Sequence, residues 1–139
     1  MDDQREHKVV EVLSALGYEL EGNTFVHRHG NPFTIEFPRG PASIGDEVLQ
    51  HFNTVRQDNR ILVVVTPTDC IRDRLAHFFY WNDRSALSAA IGVAQAHTSS
   101  IQFEYIKTWA AKLAVESKVE YPDIPTKARQ FFEALQLPE

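Results

Sequence analysis

The sequence predicts an α+β fold in which a small mixed or antiparallel sheet of three or four strands is followed by an α-helical C-terminal bundle. Short alternating or β-branched runs, separated by turn-forming residues, occupy the first 65 residues. Longer segments with apolar residues at helical spacing follow from residue 66. The chain has 139 residues, of which 43% are hydrophobic and 24% charged. We therefore expect a single domain, with an α/β part over 1–65 and a helical part over 66–139.

The α/β part is predicted to begin with a helix over residues 5–16. Its apolar residues recur at helical spacing and Gly17 follows as a stop signal. Strands over 24–28 and 33–37 are expected to pair as a hairpin across a stretch of turn formers. Two more strands are predicted over 51–56 and 61–65. The continuous β-branched run of the last strand is typical of a strand covered on both faces.

The helical part begins with a strong start signal. Thr66 is a good N-cap, Pro67 suits the first helical position, and Asp69 is placed to complete a capping box. Helices are predicted over 67–81, 84–97, 101–117 and 125–136.

Charge and composition exclude several classes of function. A net charge of −5 argues against an extensive nucleic-acid surface. No apolar run approaches the ~20 residues of a membrane span, so no membrane partner is expected. The first residues are polar and acidic, so no signal peptide is expected, and Cys70 is the single cysteine. These features predict a cytoplasmic protein in which Cys70 is an inert, buried thiol.

Two blocks of sequence carry a resemblance to a known family. One is the strand over 61–65 followed by TPTDC, DRLA, an aromatic run and WNDR over residues 66–84. The other reads NPFTIEFPRGP over 31–41, with IGDE at 44–47. In this order they resemble a family of bacterial nucleotidyltransferase-fold proteins, mostly of unknown function. These are distant relatives of abortive-infection and toxin–antitoxin nucleotidyltransferases, and the resemblance covers roughly residues 5–115.

The resemblance implies a metal-binding set that this chain matches only in part. Family members hold two magnesium ions with an Asp-x-Asp pair after a Gly-Ser or Gly-Gly turn, and with a third carboxylate from a later strand. Glu36 matches the third carboxylate. No Gly-Ser or Gly-Gly turn leads to an Asp-x-Asp pair, and Asp2 and Asp3 are adjacent rather than alternating. The chain thus resembles the family without its opening strand, helix and metal-binding strand.

Glu36 has two interpretations. It is either a surviving catalytic metal ligand or a strand glutamate that faces water opposite the buried residues Phe33, Ile35 and Phe37. Alternation along the strand favours the second, and a single carboxylate holds magnesium poorly.

Arg74 and Arg84 also have two interpretations. Arg74 lies one turn from residues predicted to face the core, and Asp73 beside it is expected to point in a different direction. Arg84 follows Asp83 at the next helix start. The arginines either belong to an ion-pair network that joins two helices, which we favour, or bind triphosphate oxygens.

Four consecutive aromatic residues end the first helix of the bundle, and they spread around its circumference: Phe78, Phe79, Tyr80, Trp81. They predict either a central core helix or an exposed patch for a partner chain. His27 and His29 share a strand face and could bind a transition metal with Asp46 or Glu47, although solvated histidines are the commoner case.

The sequence therefore favours a non-catalytic, degenerate nucleotidyltransferase-like protein that needs no cofactor and binds a partner protein, a second copy or a nucleotide. An antitoxin-like or defence-associated role is implied by the resemblance alone. Two alternatives stay open. One is an active magnesium-dependent nucleotidyltransferase whose Asp-x-Asp segment comes from another chain or a longer gene product, with Glu36 completing the site. The other is a purely structural or assembly protein.

Overall fold

The computed structural model describes the backbone of residues 3–136 and the side chains of residues 6–136. The acidic pair at positions 2 and 3 lies outside the described side chains. The described part is α+β, as predicted, with five α-helices and short antiparallel strands. It forms two compact units, Met1–Pro41 and Ala42–Glu139. The sequence indicates one domain with parts over 1–65 and 66–139, and this stays a prediction.

The first unit is one helix followed by a three-stranded antiparallel sheet. Its elements are α1 (Asp3–Ala15), β1 (Tyr18–Glu21), β2 (Thr24–His27) and β3 (Ile35–Glu36), and the strand order is β1-β2-β3. The predicted hairpin is confirmed, because Phe25 lies opposite Ile35 and Thr24 opposite Glu36. Strand β1 was not predicted.

The predicted burial of the apolar residues around Glu36 is wrong for two of three positions. Phe33 is 73% exposed and Phe37 is 44% exposed, while Ile35 is half-buried. Strand β3 spans only two residues, so the alternation of faces does not extend to positions 33 and 37.

The second unit opens with two separate antiparallel hairpins. The small one pairs β4 (Ser43–Ile44) with β5 (Glu47–Val48), and the larger one pairs β6 (Phe52–Gln57) with β7 (Arg60–Val65). In the part of the chain that the structure describes, three separate sheets of three, two and two strands replace the single predicted sheet. All their pairings are antiparallel.

The helices of the second unit lie within three residues of their predicted bounds. They are α2 (Pro67–Trp81), α3 (Arg84–Ala96), α4 (Phe103–Glu116) and α5 (Ile124–Ala134), with a short 3₁₀ turn at Thr98–Ser100. The start signal acts as expected, since the Thr66 hydroxyl accepts a hydrogen bond from the Asp69 backbone N–H at 3.1 Å. The Asp69 carboxylate accepts from Arg72 rather than completing a capping box.

The break between α2 and α3 is built by two adjacent polar residues. Asn82 adopts the left-handed conformation (φ +54°) and its N–H closes the last turn on the Phe78 carbonyl at 3.0 Å. The Asp83 carboxylate then accepts from the backbone N–H groups of Ser85 and Ala86. The Ser85 hydroxyl also donates to this carboxylate at 2.6 Å, and its hydrogen bond, followed by that from the Ala86 N–H, holds the pKa of Asp83 below its usual range.

Helix α2 is the central helix of the second unit. It packs against α3, α4, α5 and strand β4. Its core-facing residues are completely buried together with residues of α4 and α5: Ile71, Leu75, Phe78, Phe79, Ile106, Ile124, Phe131.

Candidate functional site

Glu36 lies at the surface of the first unit. Its carboxylate is exposed and accepts a hydrogen bond from the Thr24 hydroxyl on the neighbouring strand, at 2.9 Å. Among the described side chains, no three His, Cys, Asp or Glu residues come together as a metal site. Within the described residues, Glu36 therefore belongs to no cluster of three or more such side chains that could hold a divalent ion.

A cavity of about 410 Å³ adjoins Glu36 within the first unit. Glu6, Glu36 and Arg39 give its wall both negative and positive charge. The rest of the wall is largely apolar, formed by residues of α1 and of the sheet: Val9, Val10, Leu20, Phe25, Phe37. The cavity is large enough for a small molecule, and its wall carries two carboxylates and one guanidinium.

The two arginines considered for phosphate binding have separate partners. Arg74 pairs with its neighbour Asp73, with its Nε 3.0 Å from a carboxylate oxygen. The expectation that these two side chains point apart is wrong. Arg84 donates to the Gln130 side chain on α5 at 2.9 Å and lies over the Phe78 ring. In place of the predicted ion-pair network, the structure has an ion pair between neighbours on α2 and a hydrogen bond between side chains of α3 and α5.

The buried arginine of α2 is Arg72, which no pattern in the sequence indicated as a site residue. Its side chain is 2% exposed and pairs with Asp69 at 2.8 Å and with Glu47 of β5. Its guanidinium lies over the rings of Tyr105 and Trp109, 4.9 and 5.1 Å from their centroids.

These contacts keep Arg72 charged. Burial works against the charge, but the hydrogen bonds to Asp69 and Glu47 outweigh it and hold the pKa of Arg72 above its usual range. For Tyr105, whose charged form is the anion, burial raises the pKa of the hydroxyl, which donates to Glu47 at 3.3 Å. The cluster therefore ties β5, α2 and α4 together. Within the described residues the Arg72 Nε is a buried donor without a partner.

Most of the aromatic run at the end of α2 belongs to the core. Phe78 and Phe79 are fully buried, and Phe79 stacks on Trp109 with centroids 6.0 Å apart. This burial excludes both phenylalanines from the predicted partner patch. Tyr80 is half-buried against Tyr121, and Trp81 is 69% exposed beside His77. Only Trp81 and the edge of Tyr80 can reach a partner.

Lys127 on α5 binds a carbonyl in the last turn of α2. The sequence pattern did not indicate this contact either. It is 9% exposed, donates to the Phe79 carbonyl at 2.8 Å and pairs with Asp123 at 3.0 Å. A cation that hydrogen-bonds a carbonyl in the last turn of a helix is favoured by the helix dipole.

The histidines considered for metal binding, His27 and His29, interact with near neighbours in the first unit. The His27 Nδ1 accepts from the His29 backbone N–H at 3.2 Å, and its ring meets the edge of Tyr18. Glu47, one of the acids considered with them, is committed to Arg72. The Cys70 thiol is partly buried rather than fully buried, and burial raises its pKa.

The largest departure from the predicted structure is the hairpin β6–β7. The sequence indicated that residues 61–65 are covered on both faces, but they are mostly exposed. Six large apolar side chains of the hairpin, together called the hairpin surface, are between 39% and 62% exposed: Phe52, Val55, Ile61, Leu62, Val63, Val65. Contiguous exposed apolar surface of this kind marks interaction sites.

Four of these side chains lie on one face of the hairpin. Phe52 lies opposite Val65, and Ile61 and Val63 alternate with Val65 along β7. Val55 and Leu62 lie opposite each other on the other face. Either face can therefore contact a partner. The face with more large apolar side chains carries one aromatic and three β-branched residues.

Strand β7 also has a free hydrogen-bonding edge. Gln57 and Arg60 flank a two-residue turn, so their backbone groups bond each other across the hairpin. The backbone groups of successive residues point to alternate sides of a strand. The N–H and C=O groups of Ile61, Val63 and Val65 therefore point away from β6. In the described part of the chain, β7 pairs with β6 alone.

Edge strands are usually protected by charged residues, proline or a bulge. Residues 61–65 contain neither charge nor proline, and their pairing with β6 is uninterrupted. Strand β6 has a more polar edge, with Asn53, Thr54 and the exposed Arg56. The β7 edge is thus the less protected of the two.

No family model, curated protein or solved structure matches this chain. None of the helices described over residues 3–136 is both long and apolar enough to cross a membrane.

Proposed function

We propose that this protein acts by binding another polypeptide through the β6–β7 hairpin, without catalysing a reaction. The observation that carries the proposal is the hairpin surface beside an unprotected strand edge. A strand edge binds an extended segment through backbone hydrogen bonds, and the alternate side chains provide specificity. An isolated two-stranded hairpin is marginally stable in water, so an added strand also stabilises it.

Photo-crosslinking in the cells that express the protein tests this function. Val63 is replaced by p-benzoylphenylalanine, and Val115 of α4, which is 76% exposed, receives the same residue as the control. We expect an adduct with a protein at position 63 and none at position 115. No adduct at position 63, or equal adducts at both positions, would contradict the proposal.

The resemblance to the nucleotidyltransferase-fold family adds an evolutionary proposal. On this view the chain is a degenerate member of the family, and an antitoxin-like or defence-associated role suits a protein that acts by binding. The exposure of the hairpin side chains is an observation separate from the sequence resemblance, which covers roughly residues 5–115.

Nucleotide binding in the cavity of the first unit is a second candidate. Arg39 supplies a cation for a phosphate group, in a wall that also carries the carboxylates of Glu6 and Glu36 and several apolar side chains. Calorimetry with magnesium and each nucleoside triphosphate tests the cavity, with Arg39→Gln as the variant. Heat of binding that this variant abolishes supports the site; no heat at high concentration argues against it.

The enzyme alternative needs carboxylates from elsewhere. Glu36 would complete a two-metal site only if another chain or a longer gene product brought an Asp-x-Asp pair beside it. Arg74 and Arg84 would have to leave Asp73 and Gln130 in order to bind phosphates. Both requirements make the binding function the stronger proposal.

A further inference from the structure

The β7 strand is complementary to itself. Its outward-pointing backbone groups belong to Ile61, Val63 and Val65, which are spaced evenly around Val63. An antiparallel copy centred on Val63 places Val63 opposite Val63 and Ile61 opposite Val65. Each of these three pairs exchanges two hydrogen bonds, about six in all.

Neighbouring registers satisfy fewer of these groups. Sliding the copy in one direction sets Ile61 opposite Pro67, which has no N–H. Sliding it in the other direction sets Val65 opposite Asn59 of the turn. The register centred on Val63 is therefore the one that pairs every free group of the edge.

Charge allows this pairing. Residues 61–65 are uncharged, so no like charges face each other along the paired strands. Arg60 lies beside the turn, where the register places it opposite Thr66 of the second copy. The β-branched residues Ile61, Val63 and Val65 then form cross-strand pairs on one face, which stabilise antiparallel sheets.

We infer that the partner bound by the hairpin is a second copy of this chain, joined edge to edge through β7 about a two-fold axis at Val63. The resulting sheet has the order β6-β7-β7-β6. Such an interface is isologous, with the same strand contributed by both copies. This inference rests on the proposed function and names the partner of the same surface.

Solution size with lysine variants tests the inference. Light scattering after gel filtration is expected to report a dimer for the purified protein. Val63→Lys sets two lysines opposite each other and raises the dimer dissociation constant at least about tenfold. Val55→Lys is the matched control, because Val55 is 52% exposed on β6, away from the pairing edge. A wild-type monomer, or a dimer that Val63→Lys leaves intact, overturns the inference.

Engineered cysteines test the register in a Cys70→Ala background. Val63→Cys is expected to form an intermolecular disulfide on mild oxidation, because directly paired residues have Cα atoms about 5.5 Å apart. Leu62→Cys alone is the control, since the two Leu62 positions are diagonal and about 7–8 Å apart. A mixture of Leu62→Cys and Val64→Cys is expected to crosslink. Equal crosslinking of Leu62→Cys and Val63→Cys contradicts the register.

The failures of the two proposals are distinguishable. If the photo-crosslinker at position 63 captures a different protein and the purified chain is a monomer, the dimer is wrong while the binding function stands. If position 63 captures nothing and the chain is a monomer, both are wrong.

Discussion

Arg72 and Arg74 lie two residues apart on α2 and have opposite environments. Arg72 is buried between two carboxylates and two aromatic rings, whereas the Arg74 side chain is 37% exposed and pairs with its neighbour. The sequence pattern indicated Arg74 as the buried one, because it is one turn from Cys70 and Phe78. Cys70 is only partly buried, so that reference position does not mark the centre of the core-facing side.

Removing the Arg72 side chain should be strongly destabilising. Arg72→Ala leaves the carboxylate of Asp69, which is 13% exposed, without its partner, and we expect a loss of about 3 kcal/mol or more in the free energy of unfolding. Arg74→Ala is the matched control and should change stability by about 0.5 kcal/mol or less. Urea unfolding followed by circular dichroism measures both. Similar losses for the two variants would contradict the structural role assigned to Arg72.

Helix α2 shows how local signals define an element. Thr66 caps its first turn, Pro67 occupies the first position, and Asn82 closes its end in the left-handed conformation. Each signal acts within a few residues, so the bounds of α2 could be read from the sequence alone. The core of the second unit is built around α2. Loss of the Thr66 cap should therefore lower the stability of the whole unit.

Substituting the cap should lower the stability of the second unit as a whole. Thr66→Ala removes the acceptor for the Asp69 backbone N–H, and we expect a loss of about 1 kcal/mol in thermal or urea unfolding. Thr66→Ser keeps the oxygen and should be close to wild type. If Ser and Ala destabilise equally, the effect comes from the lost methyl group rather than from the hydrogen bond.

For the hairpin β6–β7, the sequence predicts the strands but not their exposure. Its two strands were predicted over 51–56 and 61–65, and the structure places each within one residue of those bounds. The exposure of these strands could not be predicted from the sequence. A continuous apolar run is equally typical of a strand covered by its own chain and of a strand covered by a partner. The partners of Arg72 were hidden for a related reason: Glu47 is 25 residues away in sequence.

The two compact units of the whole molecule have very different cores. Every residue of the continuous buried core lies between Ile44 and Leu135. In the first unit, only Leu13 and Phe25 are buried apolar residues among those described. A unit of about 40 residues rarely folds alone without disulfides or metals. The larger unit therefore supplies most of the hydrophobic stabilisation.

A fragment of residues 42–139 should consequently fold without the first unit. We expect cooperative thermal unfolding, and Trp109 fluorescence typical of a buried indole in a Trp81→Phe background, because Trp109 is 8% exposed and Trp81 is 69% exposed. The fragment keeps the whole β7 edge, so it should also dimerise with the same sensitivity to Val63→Lys. The matched fragment 1–41 should lack cooperative unfolding. A fragment 42–139 that unfolds without cooperativity would show that the core of the second unit depends on the first 41 residues.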